Sequence, residues 1–294
     1  MNRYIALIKT VDTGSFSRAA DELGYTQSAV SQMVKSLEED LRATLLIRSR
    51  HGISLTANGE ELVPHIREIC NAHRLLWEKQ KEMAGLQGGV VRIGSISSIS
   101  CGWLPELMRS FRELYPNVQF SLQQHGTYTG IAKLVREGSA DFGFISIDFA
   151  HGLQSHFLAS DEMLAVLPEG HRLARFDRIP PGLLLEEPFI LLDEGEYNEQ
   201  LHFFISQEHK PNIQYRVHDD YTIMAMVEKN LGVGILADII LRRSGYRVVT
   251  RPLTPSLKRN LGVVYKDRNF LPIASRFFLD HLVDRFEAGA FRAE

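Results

Sequence analysis

The chain contains 294 residues, of which 44% are hydrophobic and 23% are charged, and its formal net charge at pH 7 is -3. This composition is typical of an ordinary globular protein and excludes a disordered or collagen-like chain. At roughly 150 residues per domain, the length predicts about two domains, each large enough to bury a core. The overall charge argues against a protein that coats nucleic acid with its whole surface, but it permits a local basic patch.

The sequence argues against secretory and membrane-spanning segments. Arg3, Lys9 and Asp12 interrupt the first apolar stretch before a cleavage site can follow, which argues against a secretory signal. No window of about 18 uncharged apolar residues occurs, so no membrane-spanning helix is predicted. Cys70 and Cys101 are too few for a disulfide framework. We therefore expect a cytoplasmic protein in a reducing compartment, without a membrane partner.

Helical patterns fill the first 41 residues. Apolar residues at helical spacing begin at Tyr4 and end before the break at 13–15. A second helix is predicted from Phe16 to Leu23, with Ser15 as its N-cap and Gly24 just past its end. Thr26 is the expected N-cap of a third helix that continues to Leu41 and has one apolar face. Two short helices joined by a glycine turn indicate a helix-turn-helix.

The next segment predicts a small hairpin followed by a long helix. Residues 45–55 alternate around a turn at Gly52, as expected for a wing. Basic residues gather at this hairpin and its approach, namely Arg42, Arg48, Arg50 and His51. From residue 56 or 58 to about residue 85, one long helix is predicted, whose seam positions are spaced alternately by four and three residues in a heptad pattern. His73 and Gln80 are polar interruptions of this seam. Residues 86–89 form the clearest linker.

The remaining residues alternate between strands and helices, which indicates an α/β domain with a largely parallel sheet. The first set predicts strands at 90–96, 118–123 and 141–147, and helices at 104–114 and 131–136. The second set predicts strands at 162–167, 189–192, 213–217 and 233–236, and helices at 197–207 and 221–229. An amphipathic helix at 274–286 closes the chain.

The N-terminal residues resemble the signature of LysR-type transcriptional regulators. The matching segments are Ser15-Phe16-Ser17-Arg18-Ala19-Ala20, Thr26-Gln27-Ser28-Ala29-Val30-Ser31, Leu37-Glu38, Leu41, Leu55-Thr56 and Gly59. This resemblance implies a winged helix-turn-helix, a long linker helix that dimerises, and a C-terminal effector domain of two subdomains like the periplasmic binding proteins (type II). Ser28, Arg42 and Leu46 depart from the residues usual in the family, and Arg42 replaces a glycine that commonly precedes the wing.

The domain boundaries follow from the patterns and the resemblance together. We expect a DNA-binding domain at 1–58, a linker and dimerisation helix at 59–87, and an effector domain at 88–294. Within the effector domain, subdomain I is expected at about 88–160 and 268–294, and subdomain II at about 161–267. The resemblance further implies a homodimer or homotetramer, a small-molecule effector bound between the subdomains, and contact with RNA polymerase.

The polar face of the third helix carries the candidate DNA-binding groups. A helix in the major groove reads bases through side chains near its N-terminus, and amide side chains pair with adenine. Basic residues of a wing hold the phosphate backbone or enter the minor groove. The candidate residues are Thr26, Gln27, Ser28, Ser31, Gln32, Lys35, Arg48 and Arg50. The alternative interpretation is an ordinary solvated helix face with surface arginines.

A second candidate site follows the first strand of the large domain. Hydroxyls and free backbone amides occur there where a strand is followed by a helix, and ligands of open α/β sheets bind at the carboxyl ends of strands. The candidate effector-binding residues are Ser97, Ser98, Ser100, Thr127, Ser146, Asp193 and Thr222. Helix capping is the alternative role for each of these residues.

Other chemistry finds little support in the sequence. Cys101 is interpreted as a buried thiol more readily than as a redox sensor. The histidines lack metal-ligand spacing, and no dinucleotide, phosphate-loop or nucleophile-elbow motif occurs, so we expect no metal and no cofactor. Two alternatives remain open: a solute-binding protein without a DNA role, and an enzyme that uses the serines at 95–100. The latter lacks a general base at a recognisable spacing.

Overall fold

The structure is a computed structural model that describes residues 1–49, 52–83, 88–193, 195, 198–242 and 245–291, without the side chains of residues 78, 79 and 81–83. The chain divides into two compact units. The N-terminal unit comprises residues 1–86 together with 137–139, and the C-terminal unit comprises residues 87–136 and 140–294. Each unit is described by itself.

Three helices form the body of the N-terminal unit: α1 (Asn2–Thr13), α2 (Phe16–Leu23) and α3 (Gln27–Leu41). The expected caps are present, because the Ser15 hydroxyl accepts a hydrogen bond from the amide of Arg18 and the Thr26 hydroxyl accepts one from the amide of Ala29. Burial follows the predicted apolar stripes, and the three helices enclose one core. The helix-turn-helix prediction is therefore confirmed.

Helix α3 ends in an unusual way. Its C-cap residue, Arg42, has φ 52 and ψ 35, in the left-handed region. The amide of Ala43 bonds the carbonyl of Glu38, and the amide of Arg42 bonds that of Glu39. This is the helix ending in which glycine is usual, because a Cβ atom is unfavourable at this backbone conformation. The arginine occupies the position where the sequence departs from the family pattern.

The wing consists of β1 (Leu46–Ser49) and β2 (Gly52–Leu55), which pair antiparallel. A carboxylate oxygen of Glu38 accepts hydrogen bonds from the amides of Leu45 and Leu46, at 2.7 and 3.2 Å. The carboxylate therefore connects the end of α3 to the first strand of the wing. The hairpin prediction is confirmed for the described residues, while Arg50 and His51 lie outside them.

Helix α4 (Ala57–Met83) follows directly and is anchored to the approach of the wing. The amide of Thr56 bonds the carbonyl of Leu45 at 3.0 Å, and the Thr56 hydroxyl donates to the carbonyl of Thr44 at 2.6 Å. A Cβ atom at Gly59 would lie 2.3 Å from the carbonyl oxygen of Leu45. Only glycine permits the helix to approach the backbone this closely.

The C-terminal unit begins with a strand and helix series that matches the first predicted set. Its elements are β3 (Gly89–Ser95), α5 (Ser97–Gly102), α6 (Leu104–Leu114), β4 (Val118–Gln124), α7 (Tyr128–Arg136) and β5 (Phe142–Ser146). Strand β3 pairs in parallel with both β4 and β5. The parallel arrangement expected for this part is therefore confirmed.

The second series contains one long strand at each end. Its elements are β6 (Gln154–Pro168), α8 (Pro181–Leu184), β7 (Phe189–Leu192), α9 (Glu199–Ser206), β8 (Ile213–Val217), α10 (Asp220–Glu228), β9 (Gly234–Ala237), α11 (Asp238–Leu241), β10 (Val248–Tyr265) and α12 (Ile273–Glu287). The six-stranded sheet has the order β4-β3-β5-β10-β6-β9, and β7 pairs in parallel with β8.

Two features of this unit differ from the sequence expectation. The sequence patterns predict no strand at 248–265, and they place the start of the strand that becomes β6 at residue 162 instead of 154. Strand β10 pairs antiparallel with β5 and β6, so the sheet is mixed. Pro252, Pro255 and several charged residues in β10 obscure the alternation by which a strand is recognised.

A single apolar core runs through the C-terminal unit on the faces of these strands. Its aromatic centre lies where α6, β5 and α12 meet. The ring of Phe111 contacts that of Phe278 edge-on at 5.1 Å between centroids, and Phe278 stacks on Phe142 at 5.8 Å. Helix α12 therefore packs against the first series of strands.

We expect the substitution Arg42→Gly to stabilise the protein by about 0.5–1 kcal/mol, because glycine removes the penalty of the left-handed backbone while losing some chain entropy. The measurement is chemical denaturation followed by circular dichroism. Arg42→Ala is the matched control, since it removes the side chain but keeps the Cβ atom. Equal stability of the glycine and alanine variants would contradict the explanation.

Candidate DNA interface and candidate effector site

The polar face of α3 is exposed along most of its length. Gln27, Ser28, Gln32 and Lys35 are exposed and Ser31 is half-buried, while the opposite face buries three apolar side chains, Val30, Val34 and Leu37. The hydroxyls of Thr26 and Ser28 lie 3.0 Å apart at the first turn. The candidate residues of this helix therefore share one surface, and it is held in place by the core beneath it.

Two basic candidates have protein partners as well. The ammonium group of Lys35 lies 3.8 Å from a carboxylate oxygen of Glu39, in an exposed pair worth little stability. Arg48, on strand β1, lies against α3, where its guanidinium donates to the hydroxyl of Ser31 at 3.0 Å. Arg50, also predicted to contact DNA, lies outside the described residues.

A buried polar network lies in the C-terminal unit around Arg259 on β10, which is 5% exposed. Its guanidinium forms an ion pair with Asp161 on β6, with Nη2 at 2.8 Å from the carboxylate. The same group donates to the hydroxyl of Ser98 at 2.8 Å and to that of Tyr128 at 3.3 Å. The Tyr128 hydroxyl in turn donates to Glu199 at 3.1 Å. Side chains of β6, α5 and α7 therefore converge on one buried cation, and α9 joins the network through Tyr128.

Two carboxyl groups of this region have perturbed acidity. Burial raises the pKa of Glu199, and the charge of Arg259 only partly opposes this effect. Burial raises the pKa of Asp220 in the same way. Within the part of the chain that the structure describes, one buried carboxyl oxygen of Glu199 has no hydrogen-bond partner. These carboxyl groups are expected to bind protons more readily than ordinary surface carboxyls.

The expected effector-binding residues occupy several places in the unit. Ser98 belongs to the network, and Ser97 precedes it at the start of α5. Thr127 caps α7 through the amide of Gly130, and a Cβ atom on Gly195 would lie 3.0 Å from its methyl group. Thr127 therefore approaches the segment after β7 that begins with Asp193.

The other three candidates differ in their surroundings. The Ser146 hydroxyl is buried and lies 3.4 Å from a carboxylate oxygen of Asp148. Ser100 borders a groove of about 1160 Å³ between α6 and β4, and its buried hydroxyl has no hydrogen-bond partner among the described residues. Thr222 borders another depression, of about 390 Å³, on α10. Asp219 is the N-cap of that helix, and its carboxylate accepts hydrogen bonds from the amide and the hydroxyl of Thr222. The structure does not bring Ser100 and Thr222 into the Arg259 network.

Cys101 and the histidines are the other conspicuous residues of the sequence. Cys101 is half-buried, and its contact with Tyr221 raises the pKa of the tyrosine to about 12. Among the described residues, no three His, Cys, Asp or Glu side chains come together as a metal site would require. In the same ranges, no helix combines the length and apolar character needed to cross a membrane.

Sequence reasoning missed the network itself. Arg259 lies 98 residues from Asp161, 131 from Tyr128 and 161 from Ser98. No local pattern connects such distant positions. The only available signal was the presence of charged residues within an otherwise apolar run near the end of the chain.

The capped, exposed recognition helix with its wing, and the separate α/β unit with convergent polar groups, define a class of DNA-binding regulators with a ligand-binding domain. Family comparisons agree. Residues 84–287 match the LysR substrate binding domain, and residues 1–60 match the helix-turn-helix of bacterial regulatory proteins of the lysR family. The chain belongs to the LysR family of transcriptional regulators, with a DNA-binding helix-turn-helix and an effector-binding domain.

Individual relatives cover nearly the whole chain. The transcriptional regulator YvbU of Bacillus subtilis, itself uncharacterised, is 28% identical over 286 residues, which is 96% of this chain and 97% of the relative. A full-length OxyR variant from Pseudomonas aeruginosa has a similar fold, with a TM-score of 0.71, 21% identity and coverage of 97% and 95% of the two chains. CbnR, solved with its target DNA, has a TM-score of 0.66, 19% identity and coverage of 97% and 99%.

We expect Glu199→Gln to flatten the dependence of stability on pH. The raised pKa of Glu199 means that the folded protein holds the proton more tightly than the unfolded chain. The resulting stability is present below the unfolded pKa and is lost as pH rises through the folded pKa. The free energy of unfolding, measured from pH 4 to 9, should therefore fall less with rising pH in the variant. The exposed Glu169→Gln is the control, and an unchanged pH profile in Glu199→Gln would refute the assignment.

Proposed function

We propose that this regulator binds operator DNA through α3 and the wing, with Thr26, Gln27, Ser28, Ser31, Gln32, Lys35, Arg48 and Arg50 as its contacts. The exposed polar face of α3, with Val30, Val34 and Leu37 buried behind it, is the observation that carries the proposal. Gln27 and Gln32 supply amides for bases, while Lys35 and the arginines supply charge for phosphates.

We infer that α4 is the dimerisation element. Its first half packs on the N-terminal core through Leu62, Val63 and Ile66, whereas further along Ile69 and Leu76 are exposed, Leu76 by 67%. Apolar exposure at heptad spacing favours a partner helix. A homodimer would present two recognition helices about 34 Å apart to two half-sites, and a homotetramer would engage two such regions and bend the DNA between them.

We propose that a small-molecule effector binds between subdomain I (88–160 and 268–294) and subdomain II (161–267). The approach of Gly195 to Thr127 and the hydrogen bond from Tyr128 to Glu199 support this, because each joins elements of both proposed subdomains. The proposed contacts are Ser97, Ser98, Ser100, Thr127, Ser146, Asp193 and Thr222. An effector with different affinities for two subdomain arrangements shifts their populations.

We further propose that the protein acts in the cytoplasm as a regulator and not as an enzyme, and that it changes transcription through contact with RNA polymerase when the effector alters the DNA complex. The family membership and the polar α3 face support this role over a solute-binding protein without DNA.

The first test measures DNA binding. Gln32→Ala should weaken binding to operator DNA from the region upstream of its own gene by about 1–3 kcal/mol, and should leave binding to random DNA unchanged, because it removes a base contact. Fluorescence anisotropy with both duplexes measures the two affinities. Gln214→Ala, an exposed glutamine on β8, is the control. Equal losses on both duplexes would show that Gln32 does not read bases, and failure of the unmodified protein to bind any promoter segment would overturn the proposal.

The second test concerns the effector. A panel of organic acids, amino acids, amines and sugar phosphates is screened by thermal shift, and binding of any active compound is measured by calorimetry. Ser97 is half-buried at the start of α5, so Ser97→Ala should weaken binding of the compound about two- to tenfold without loss of stability. Ser160→Ala, on the exposed part of β6, is the control. Unchanged affinity in Ser97→Ala would place the ligand elsewhere.

A further inference from the structure

The side chain of Arg48 does not extend freely from the wing. Along β1, Leu46 and Arg48 lie on the same face, because side chains alternate along a strand. Leu46 is buried in the N-terminal core, so this face turns toward the helices. The guanidinium carbon of Arg48 lies 4.3 Å from the centre of the Phe16 ring, and Nη2 donates to the Ser31 hydroxyl at 3.0 Å.

Phe16 is a rigid platform for this contact. It is the first residue of α2, after the Ser15 cap, and it is 8% exposed. Its ring belongs to the same core as the buried face of α3. An aromatic face attracts a guanidinium through its quadrupole, and planar stacking suits arginine better than lysine. The ring therefore restricts a side chain that otherwise has many rotamers.

The restricted Arg48 side chain still has charge and hydrogen-bond donors available for a DNA phosphate. Arg48 is exposed, and a guanidinium carries five N–H donors. Ser31 accepts from one of these donors, and no other acceptor for them lies among the described residues. Since Ser31 is on the recognition helix, the charge is held beside the polar face of α3. A phosphate flanking the groove that α3 enters would meet an arginine whose conformation is already set, which lowers the entropy lost on binding.

We propose that Phe16 is a positioning residue for DNA binding: through stacking and with the help of Ser31, it holds Arg48 next to α3, where Arg48 contacts a backbone phosphate. Phe16 itself touches no DNA. The inference rests on the proposed DNA interface and adds to it a residue from the buried core of the domain.

The test is a double-mutant cycle of Phe16→Leu and Arg48→Ala, read by fluorescence anisotropy of full-length protein with operator DNA at several salt concentrations. The plot of log affinity against log salt has a negative slope, and Arg48→Ala should make it less steep by about 0.9, the value for one phosphate contact. Phe16→Leu should weaken binding about two- to fivefold and move the slope in the same direction. In the Arg48→Ala background, Phe16→Leu should have no further effect. Phe16→Tyr, which keeps the aromatic ring, should retain the affinity and the salt slope of the unmodified protein.

Leu7→Val is the matched control, because it removes buried volume from the same core without touching Arg48. It should lower the melting temperature and leave DNA affinity unchanged at temperatures where the protein is folded. Unchanged binding and slope in Arg48→Ala would remove Arg48 from the proposed DNA interface. If Arg48→Ala reduces the slope as expected, but Phe16→Leu weakens binding equally in the unmodified protein and in the Arg48→Ala variant, the positioning role of Phe16 is overturned and the DNA contact of Arg48 is kept. If Phe16→Leu does not fold, a reduced slope in Phe16→Tyr would overturn it as well.

Discussion

The pairing of β6 with β10 is the interaction on which the C-terminal unit depends. The ladder continues from Val248 opposite Pro168 to Tyr265 opposite Gln154, interrupted by register shifts. Strand β10 also pairs with β5, and β6 pairs with β9, so both strand series are attached to this central pair. Arg259 and Asp161 lie opposite each other in this ladder, and their side chains also form an ion pair. Removing a buried ion from such a pair is expensive because the partner is left uncompensated.

The elements that the sequence predicted well are those whose signals are local. The caps Ser15 and Thr26, the apolar stripe of α3 and the strands β7 and β8 lie within a few residues of the features that identify them. Strand β10 is different, because its partners are distant in sequence and its prolines interrupt the pattern. Tertiary pairing decides such a segment, and a single sequence contains little information about it.

The two candidate sites differ in the same respect. The polar residues of α3 follow from helical periodicity, since the buried face determines the exposed one. In the effector domain, the rule that ligands gather at strand ends predicted Ser98 and Thr127, but it did not predict that Arg259 joins Ser98 to Tyr128. The rule specifies an edge of the sheet and says nothing about which distant side chain reaches it. Arg48 is an intermediate case, because strand alternation indicates its direction while its contact with Phe16 requires the folded domain.

The junction between the wing and α4 has a mechanical consequence. The amide and hydroxyl of Thr56 are both bonded to the backbone just before the wing, and Gly59 lies directly on the carbonyl of Leu45. Glu38 fastens the end of α3 to the same stretch of backbone. Helix α3, the wing and the first turn of α4 therefore form one rigid unit. In the proposed dimer, a tilt of α4 would rotate the attached α3 and wing and would change the distance between the two copies of α3. The surface that each copy presents to a DNA half-site would keep its shape.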